Sequence, residues 1–471
     1  MAEVHPPRRR LSTLILLAAP AALAVSAVIG DYTGTAGHPA IMLRPGLVLV
    51  AVAAFLQGAA WLIARRLESA TAFAMLGIAL VVDRTLAGVV IIIVAGTAAW
   101  RLWSVVIRGR SDHGRGSARF LVPLAMLLLG SAVIVAASRG AAENVVGEPP
   151  TPPAAHAGTN LPSLYVLFLD GYPRHDMLQT RFGYANSPFL SWLAEAGFDV
   201  YPDSHSDYDW TRGTLVAMLS GEPYPEGERL GGAAELRRMR RLLGEAPALT
   251  SLASAGYETV TIRSPVVHTA GEGWHRVIDT GQINDFEIHL LAGSPLVAHT
   301  PLQSVVRAWL MDQHRDRVRA SLAAVERIAE RGTRQAALAH LLVPHTPFIF
   351  DERAEPADEF TDCWPRHCRF YAIYADDFGR STEAYEAALV KQVRGVNRLI
   401  TRTVEKIVAA DPSAVVVLMS DHGARHSKAD PEEHHATLLA ARTPGHPNLL
   451  ADEPVPDRLF ERILDAYRAS E

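Results

Sequence analysis

The chain has 471 residues, of which 49% are hydrophobic and 20% charged, and its formal net charge is −5. This length exceeds that of one ordinary domain, so we expect at least two parts. The negative charge balance, with no basic stretch in the polar part of the chain, argues against a nucleic-acid partner.

Residues 1–140 are rich in Ala, Leu, Val and Ile and carry few charges. A bilayer core requires roughly 20 apolar residues in a helix, and apolar runs of this kind recur here. The pattern predicts a transmembrane anchor of about five helices, over Leu11–Ile29, Met42–Ala64, Ala70–Val82, Leu86–Ile107 and Phe120–Ala137. The third run is short, and its fusion with the fourth would give four helices instead.

Arginine placement favours five helices over four. Basic residues precede the first span, follow the second and fill the loop before the last: Arg8 to Arg10, Arg65 and Arg66, and Arg108, Arg110, Arg115 and Arg119. Positive residues favour the cytoplasmic side, and only five helices put all three groups there. We therefore expect a multi-pass protein of the cell membrane with an extracytoplasmic C-terminal part. The alternative, a cleaved signal peptide over the first span, is disfavoured by the later spans.

Residues 141–161 are rich in Pro, Gly and Ala and are predicted to be a linker. In residues 162–471, apolar strand patterns alternate with amphipathic helix patterns, which predicts an α/β domain with a mixed, mostly parallel sheet. In chain order we expect a strand ending at Asp170, helices opening near Asn186 and Thr214, a strand after Gly256, a long helix over about Leu302–Arg331, a strand before His345, a helix from Asn397, a strand ending at Asp421 and a closing helix near Asp457–Arg468.

Two of the predicted strands end in residues that bind metals. The run LYVLFL is followed by Asp170, and the run AVVVLMS is followed by Asp421 and His422. Sheets of this class place ligand sites at the carboxyl ends of their strands. Two carboxylates and an imidazole suit Mn²⁺, Zn²⁺ or Mg²⁺, so the sequence predicts a divalent metal at one sheet edge. Taken singly, each Asp has an alternative interpretation as a turn former or helix cap.

Thr211 stands just ahead of an apolar helix pattern. A threonine hydroxyl becomes a useful nucleophile when a base or a metal lowers its pKa. The amides at a helix N-terminus also favour a tetrahedral anion such as phosphate or sulfate. The alternative is that Thr211 is only the N-cap of the helix around Thr214–Leu219.

These motifs carry a family resemblance. The chain from about Pro162 to Pro447 resembles the alkaline phosphatase superfamily, in particular its sulfatase-like branch, which includes membrane-bound phosphoglycerol and phosphoethanolamine transferases. The segment TRGTLVAMLSG from Thr211 to Gly221, the SDHG of Ser420–Gly423 and the PHTPF of Pro344–Phe348 are similar to that branch's motifs. The segments DGYPRHD, FGYANSPFL and SHSDY look more like a broad bacterial group of sulfatase-like membrane proteins.

The resemblance implies a role for five residues. Asp170, Asp421 and His422 would be metal ligands, Thr211 the nucleophile and fourth ligand, and His345 a substrate-side group that binds the phosphoryl oxygens or protonates the leaving group. One divalent ion is expected, with Mn²⁺ favoured and Mg²⁺, Zn²⁺ or Ca²⁺ as alternatives. The expected donor is a membrane lipid and the expected acceptor an envelope glycan or lipid.

The chain also departs from the family's patterns. Sulfatases require Cys or Ser where this chain has Thr211, and Arg where it has Leu215, so formylglycine-dependent sulfate hydrolysis is disfavoured. Gly171 stands where sulfatases commonly have a second Asp. No full second metal set is visible, so we expect one metal. The histidines after the SDHG motif have two interpretations, solvated loop residues or substrate contacts: His426, His434 and His435.

Other functions are weighed against this one. A phosphodiesterase or phosphonate hydrolase would use the same residues with water as acceptor, and a catalytically silent domain would be an envelope scaffold. A transporter is disfavoured, because the spans contain almost no charge. An oxidising compartment would allow a disulfide between Cys363 and Cys368, the two cysteines of the chain. We favour that disulfide over a zinc site, which would require more Cys or His at closer spacing.

Overall fold

A computed structural model describes residues 16–25, 43–64, 67–82, 161–221, 246–262, 273–281, 300–361, 381–424 and 431–470, with isolated positions between 224 and 297. The chain divides into two compact units. One comprises Met1–Val146 and Asn284–Val306, and the other Gly147–Ile283 and Arg307–Glu471. The predicted division at residues 140 and 161 stays a prediction.

The described part of the N-terminal region consists of helices: α1 over Leu16–Val25, α2 over Leu43–Ala64 and α3 over Leu67–Val82. Among the described residues, one stretch, Leu43–Leu62, is long and apolar enough to cross a membrane by length and composition. The predicted spans Leu86–Ile107 and Phe120–Ala137 lie outside the described residues. The five-helix anchor therefore stays a prediction.

Nine strands are described, and seven of them form one sheet. They are β1 Leu164–Leu169, β2 Asp199–Val200, β3 Glu258–Ile262, β4 Arg276–Ile278, β5 Gln335–Leu341, β6 Phe348–Phe350, β7 Pro356–Glu359, β8 Val415–Ser420 and β9 Leu439–Arg442. The sheet order is β2-β9-β8-β1-β5-β3-β4, and β6 and β7 form a separate hairpin. The strands from β8 to β4 are parallel, whereas β9 and β2 add antiparallel pairings. The predicted mixed, mostly parallel sheet is confirmed.

The three central strands explain why distant residues meet. β1 lies between β8 and β5, so that Leu169 pairs with Ser420 on one side and Leu341 on the other. All three strands are buried along their whole length, as is typical of parallel strands covered on both faces. Because they run in the same direction, the residues that follow them emerge at the same edge of the sheet.

The other helices are α4 His175–Phe182, α5 Ser187–Glu195, α6 Thr211–Ser220, α7 Pro247–Ser254, α8 Leu302–Ala329, α9 Thr382–Ala410, α10 Pro431–His435 and α11 Leu459–Ala469. Apolar side chains of α6, α7 and α11 join the core cluster that includes the β1 and β8 side chains. Trp210 is the N-cap residue of α6, and Thr211 is its first helical residue. The interpretation of Thr211 as an N-cap is therefore wrong. Cys363 and Cys368 lie outside the described residues.

Three buried polar side chains close a ring of hydrogen bonds beside the end of β1. The Tyr172 hydroxyl donates to Oδ1 of Asn397 (2.6 Å), Nδ2 of Asn397 donates to Oδ1 of Asn186 (2.9 Å), and Nδ2 of Asn186 donates to the Tyr172 hydroxyl (2.9 Å). Asn186 is the N-cap residue of α5, but its side chain is used in this ring rather than on the helix. The ring thus joins the β1 end to α5 and α9.

Candidate functional site

Asp170 begins the site, directly after β1. Its backbone amide donates to the carbonyl of Leu341 (3.0 Å), and its own carbonyl accepts from the amide of His345 (2.9 Å). These bonds hold the ends of β1 and β5 together, so the segment that carries His345 starts beside Asp170. The Asp170 side chain is 2% exposed, and therefore its carboxylate lies in the protein interior rather than in solvent.

Gly171 lies between the β1 end and the two histidines. Its φ is +69°, a backbone conformation that is strained for residues other than glycine. A Cβ at this position would lie 3.4 Å from Cε1 of His422 and 3.6 Å from Cδ2 of His345, which are ordinary van der Waals distances. The backbone angle, rather than a lack of space, therefore favours glycine where sulfatases commonly have a second Asp.

The two carboxylate oxygens of Asp421 have different surroundings. Oδ1 accepts hydrogen bonds from the amides of Gly171 (2.9 Å) and His422 (2.9 Å). Oδ2 is buried, has no hydrogen-bond partner within the described residues, and lies 3.5 Å from Nε2 of His422. The side chain is therefore held by one oxygen while the other is presented to the site.

The two histidines of the site are oriented in the same way. Nδ1 of His422 lies 2.7 Å from the carbonyl oxygen of Gly423, and Nδ1 of His345 lies 2.7 Å from that of Thr346. A carbonyl oxygen can only accept, so Nδ1 carries a proton in both rings, and a neutral ring keeps its lone pair on Nε2. Nε2 of His422 lies 3.4 Å from Oδ1 of Asp170. The ring centroids are 6.1 Å apart.

Two overlapping groups of side chains could hold a metal ion. One is Asp170, His345 and His422, and the other is Asp170, His340 and Asp421; within each, the ligand atoms lie within 4.8 Å of one another. Oδ1 of Asp170 is, like Oδ2 of Asp421, buried without a hydrogen-bond partner in the described part of the chain. Such oxygens are costly to bury unless a cation satisfies them. The donor set of carboxylates and imidazoles fits a divalent metal and does not by itself select the ion.

His340 was not identified from the sequence. It lies within β5, is 3% exposed, and its Nε2 is 3.3 Å from Oδ2 of Asp170. Its ring also packs edge-on against Phe168, at a centroid distance of 5.1 Å. The available signal was a single polar residue in the otherwise apolar run LAHLL, five positions before His345. A buried histidine in a strand is readily interpreted as part of the core.

The Asp170 carboxyl is anionic. Burial alone would raise its pKa, but the charge of nearby His345 and the close imidazoles of His340 and His422 hold the pKa of this carboxyl well below its usual range. Metal ligands must be deprotonated to bind. Asp170 is therefore in the state that metal binding requires at every physiological pH.

Two threonines of α6 differ in their surroundings. Thr214 is fully buried, and its hydroxyl donates to the backbone carbonyl of Asp421 (2.7 Å) and lies 2.8 Å from the Ser206 hydroxyl. Thr211, at the start of the helix, is half-buried. Residues three apart share a helix face, so Thr211 lies on the face of α6 that is bound to Asp421. Thr214, which the sequence did not single out, fixes that helix to the site.

The later histidines support the loop after β8. His434 is 7% exposed, and its carbonyl accepts from the amide of Gly423 (2.7 Å), so its interpretation as a solvated loop residue is wrong. Nδ1 of His435 lies 2.6 Å from the carbonyl of Ser206. His426 lies outside the described residues.

A small pocket adjoins the site, with room for about one water molecule. Gly171, His345 and His422 line it together with Tyr385 and Leu389 of α9. The two histidines and apolar side chains of α9 therefore border the same opening.

No protein-family model and no curated protein matches the chain. Among solved structures, it is similar to the C-terminal periplasmic domain of EcEptC from Escherichia coli in complex with Zn (13% identity, 63% of this chain and 77% of that chain, TM-score 0.38). It is similar also to the C-terminal periplasmic domain of phosphoethanolamine transferase EptC from Campylobacter jejuni (12%, 67% and 92%, TM-score 0.39).

A third similar structure is the integral membrane protein lipooligosaccharide phosphoethanolamine transferase A from Neisseria meningitidis (12% identity, 87% of this chain and 69% of that chain, TM-score 0.38). Phosphoethanolamine transferases, which the motifs resemble, are thus among the solved structures that this chain is similar to.

Proposed function

We propose that the chain is a membrane-anchored, metal-dependent transferase of the sulfatase-like branch of the alkaline phosphatase superfamily. It would move a phospho-head group, of the phosphoglycerol or phosphoethanolamine type, from a lipid donor to an envelope acceptor. The observation that carries the proposal is the meeting of Asp170, Asp421 and His422 at one sheet edge beside His345, with two buried carboxylate oxygens that lack hydrogen-bond partners among the described residues.

In this proposal, Asp170, Asp421 and His422 hold one divalent ion, with Thr211 as the fourth ligand and Mn²⁺ as the favoured metal. When bound, the ion supplies positive charge that polarises the phosphoryl group and lowers the pKa of the Thr211 hydroxyl. The buried residue His340 is adjacent to this ligand set, because its Nε2 lies 3.3 Å from Oδ2 of Asp170. The three protein side chains come from the ends of two adjacent strands, which makes the set rigid.

The chemistry of the chain's own residues is a two-step transfer. Oγ of Thr211 attacks the phosphorus and loses its proton to water, and the bond to the leaving alcohol breaks while Nε2 of His345 donates a proton to its oxygen. The amides at the N-terminus of α6 favour the transferred anion. The acceptor hydroxyl then attacks the phosphorus of the phosphothreonine and gives its proton to His345, while the bond between phosphorus and Oγ of Thr211 breaks and Oγ takes a proton from water.

A lipid donor is favoured by the anchor that the N-terminal region would provide. The helix over Leu43–Leu62 has the length and composition of a membrane span, and the arginine distribution favours an extracytoplasmic position of residues 162–471. A site tethered beside the bilayer meets lipid head groups at high local concentration. The acceptor would then be an envelope glycan or lipid.

The test is the mass of the Thr211 peptide. The full chain, in detergent with Mn²⁺, is incubated with vesicles of phosphatidylglycerol or phosphatidylethanolamine, and the digest is analysed by mass spectrometry. We expect an adduct on Thr211 whose mass identifies the transferred group. Turnover that persists in a Thr211→Val protein would exclude the covalent mechanism.

A hydrolase differs from this transferase only in the second step, and the pocket beside His345 and His422 has room for a water molecule. Released product is therefore measured with and without an acceptor alcohol such as glycerol. Glycerol-dependent product supports transfer, and product that is independent of glycerol supports hydrolysis. A silent scaffold would show neither product and would bind no metal, which elemental analysis of the purified chain determines.

A further inference from the structure

Gln392, a fully buried residue of α9, binds the backbone of the segment that carries His345. Its Oε1 accepts hydrogen bonds from the amides of Ile349 (2.7 Å) and Phe350 (2.9 Å). Its Nε2 lies 3.2 to 3.3 Å from three carbonyl oxygens, those of Pro344, His345 and Pro347. One side chain therefore contacts five backbone groups of residues 344–350.

The chemistry of these partners determines which way the amide points. Only the oxygen can accept from the two backbone N–H groups, and only the NH₂ group can donate to the three carbonyls. Both ends of the side chain are satisfied in this orientation and opposed in the reverse one. The amide therefore fits the backbone of this segment in a single way.

Other residues of α9 follow the same backbone. Nε of Arg398 donates to the carbonyl of Glu352 (2.8 Å). A side chain at Gly395 would overlap the carbonyl oxygen of Asp351, so glycine lets the helix approach closely. Positions 392, 395 and 398 lie on one helix face, and this face runs along the chain from residue 344 to 352.

We propose that Gln392 is a positioning residue for His345. The His345 amide donates to the carbonyl of Asp170 (2.9 Å), and the His345 carbonyl accepts from Nε2 of Gln392 (3.2 Å). The backbone of His345 is therefore fixed by the end of β1 on one side and by α9 on the other. With Nδ1 held by the carbonyl of Thr346, this backbone determines where Nε2 points. The inference rests on the proposed function, in which Nε2 protonates the leaving group.

A leaving-group comparison tests the inference in the full chain. The Gln392→Met variant keeps the size of the side chain and removes all five contacts. Turnover is measured with bis(p-nitrophenyl) phosphate, whose leaving group departs without protonation, and with diphenyl phosphate, whose leaving group is more basic. A displaced general acid should lower kcat/KM for diphenyl phosphate, which reports only the first transfer step, about 100-fold, with little change in kcat/KM for the nitrophenyl ester.

Two further variants make the test specific. In a His345→Gln background, Gln392→Met should cause no additional loss, because the residue on which Gln392 acts is already absent. Thr403→Val is the matched control: the Thr403 hydroxyl is also buried on α9 and donates to Glu326 (2.9 Å), about 16 Å further along the helix. The Thr403→Val variant should leave the ratio of the diphenyl phosphate rate to the bis(p-nitrophenyl) phosphate rate unchanged.

The conservative Gln392→Glu variant retains acceptors for the amides of Ile349 and Phe350 and loses the donors to the three carbonyls. It should also lower the diphenyl phosphate rate selectively. An equal fall in both rates in either variant, or a further loss in the His345→Gln background, would overturn the inference.

Hydrogen exchange separates the two proposals. The amides of Ile349 and Phe350 should exchange faster in Gln392→Met than in the wild type and in Thr403→Val, and unchanged exchange would overturn the role of Gln392. Absence of turnover with either ester in the wild-type chain would count against the proposed function, and the exchange result would still decide whether Gln392 holds the His345 segment.

Discussion

The backbone amide of Gly171 donates a 2.9 Å hydrogen bond to Oδ1 of Asp421, which lies 250 positions later in the chain. This bond fixes the Asp421 carboxylate and leaves its other oxygen directed at the site. The first prediction concerns that second oxygen. Asp421→Asn retains an acceptor for the two amides but replaces Oδ2 by an NH₂ group, which repels a cation.

For Asp421→Asn we expect metal affinity to fall at least about 100-fold while the metal-free protein keeps its thermal stability, because a buried charge is removed. Mn²⁺ titration by calorimetry and melting curves with and without EDTA measure the two effects. Ser413→Ala, on the turn before β8, is the control for a substitution outside the site. An unchanged Mn²⁺ affinity would show that Asp421 is not a ligand.

The second prediction compares two glycines with similar backbone angles. Gly171→Ala and Gly183→Ala both place a side chain at positive φ (+69° and +60°), but no described atom lies within 4 Å of the added Cβ at Gly183. Each substitution should lower the free energy of unfolding by about 1–2 kcal/mol, because the left-handed backbone conformation is strained for alanine. The Mn²⁺ affinity of both variants should stay close to that of the wild type, because a Cβ at Gly171 meets His422 and His345 at ordinary van der Waals distances of 3.4 and 3.6 Å. Chemical unfolding and calorimetry measure the two quantities, and clearly weaker Mn²⁺ binding in Gly171→Ala would contradict the expectation.

The third prediction separates the two threonines of α6. Thr211→Val should abolish turnover and leave the free energy of unfolding nearly unchanged, since Thr211 is half-buried. Thr214→Val should destabilise the protein by about 1–3 kcal/mol, because it removes the Thr214 donor from the Asp421 carbonyl and leaves the Ser206 hydroxyl with the Tyr208 amide alone. Thr211→Ser, which keeps the hydroxyl, should retain part of the activity. Urea unfolding and diester turnover of the three variants provide the comparison.

The fourth prediction concerns His314 of α8. Nε2 of this buried histidine lies 3.2 Å from the carbonyl oxygen of Leu342. Burial, together with the charge of Arg317, lowers the pKa of His314 from 6.5 to about 3. The unfolded chain therefore binds a proton at higher pH than the folded chain. The stability that the neutral residue contributes is complete above pH 6.5 and is lost as the pH falls towards 3.

At pH 5 the loss from His314 should be about 2 kcal/mol. Gln does not titrate, so the fall in the free energy of unfolding from pH 7 to pH 5 should be smaller in His314→Gln than in the wild type by about this amount. Urea unfolding at the two pH values, for the wild type and the variant, measures the difference. Parallel pH dependences would mean that His314 titrates normally in the folded chain.

Much of the sheet edge could be predicted because the information is local. The apolar runs before Asp170 and Asp421 are typical of buried parallel strands, and parallel strands release their following residues at one edge. The strand pairing confirms this arrangement for both residues. The roles of these residues in metal binding and of Thr211 in catalysis stay predictions.

What the sequence did not indicate depends on distant partners. In the sequence, His340 has the features of an ordinary buried strand residue. Its position beside Asp170 follows only from the pairing of β1 with β5. Gln392 lies ahead of the predicted helix start at Asn397, whereas α9 begins at Thr382. Its backbone partners stand more than 40 positions earlier in the chain. Asn186 has the sequence features of a helix cap, yet its side chain bonds to two residues elsewhere in the fold.

The ring of Tyr172, Asn186 and Asn397 makes the opening of this region all-or-none. Each member gives one hydrogen bond and receives one, so withdrawal of any member leaves a donor and an acceptor unpaired in the interior. The loop after β1 and helices α5 and α9 should therefore separate together rather than one at a time. The pocket beside His345 and His422 would then have two states, assembled or dismantled, with no half-open form of useful lifetime.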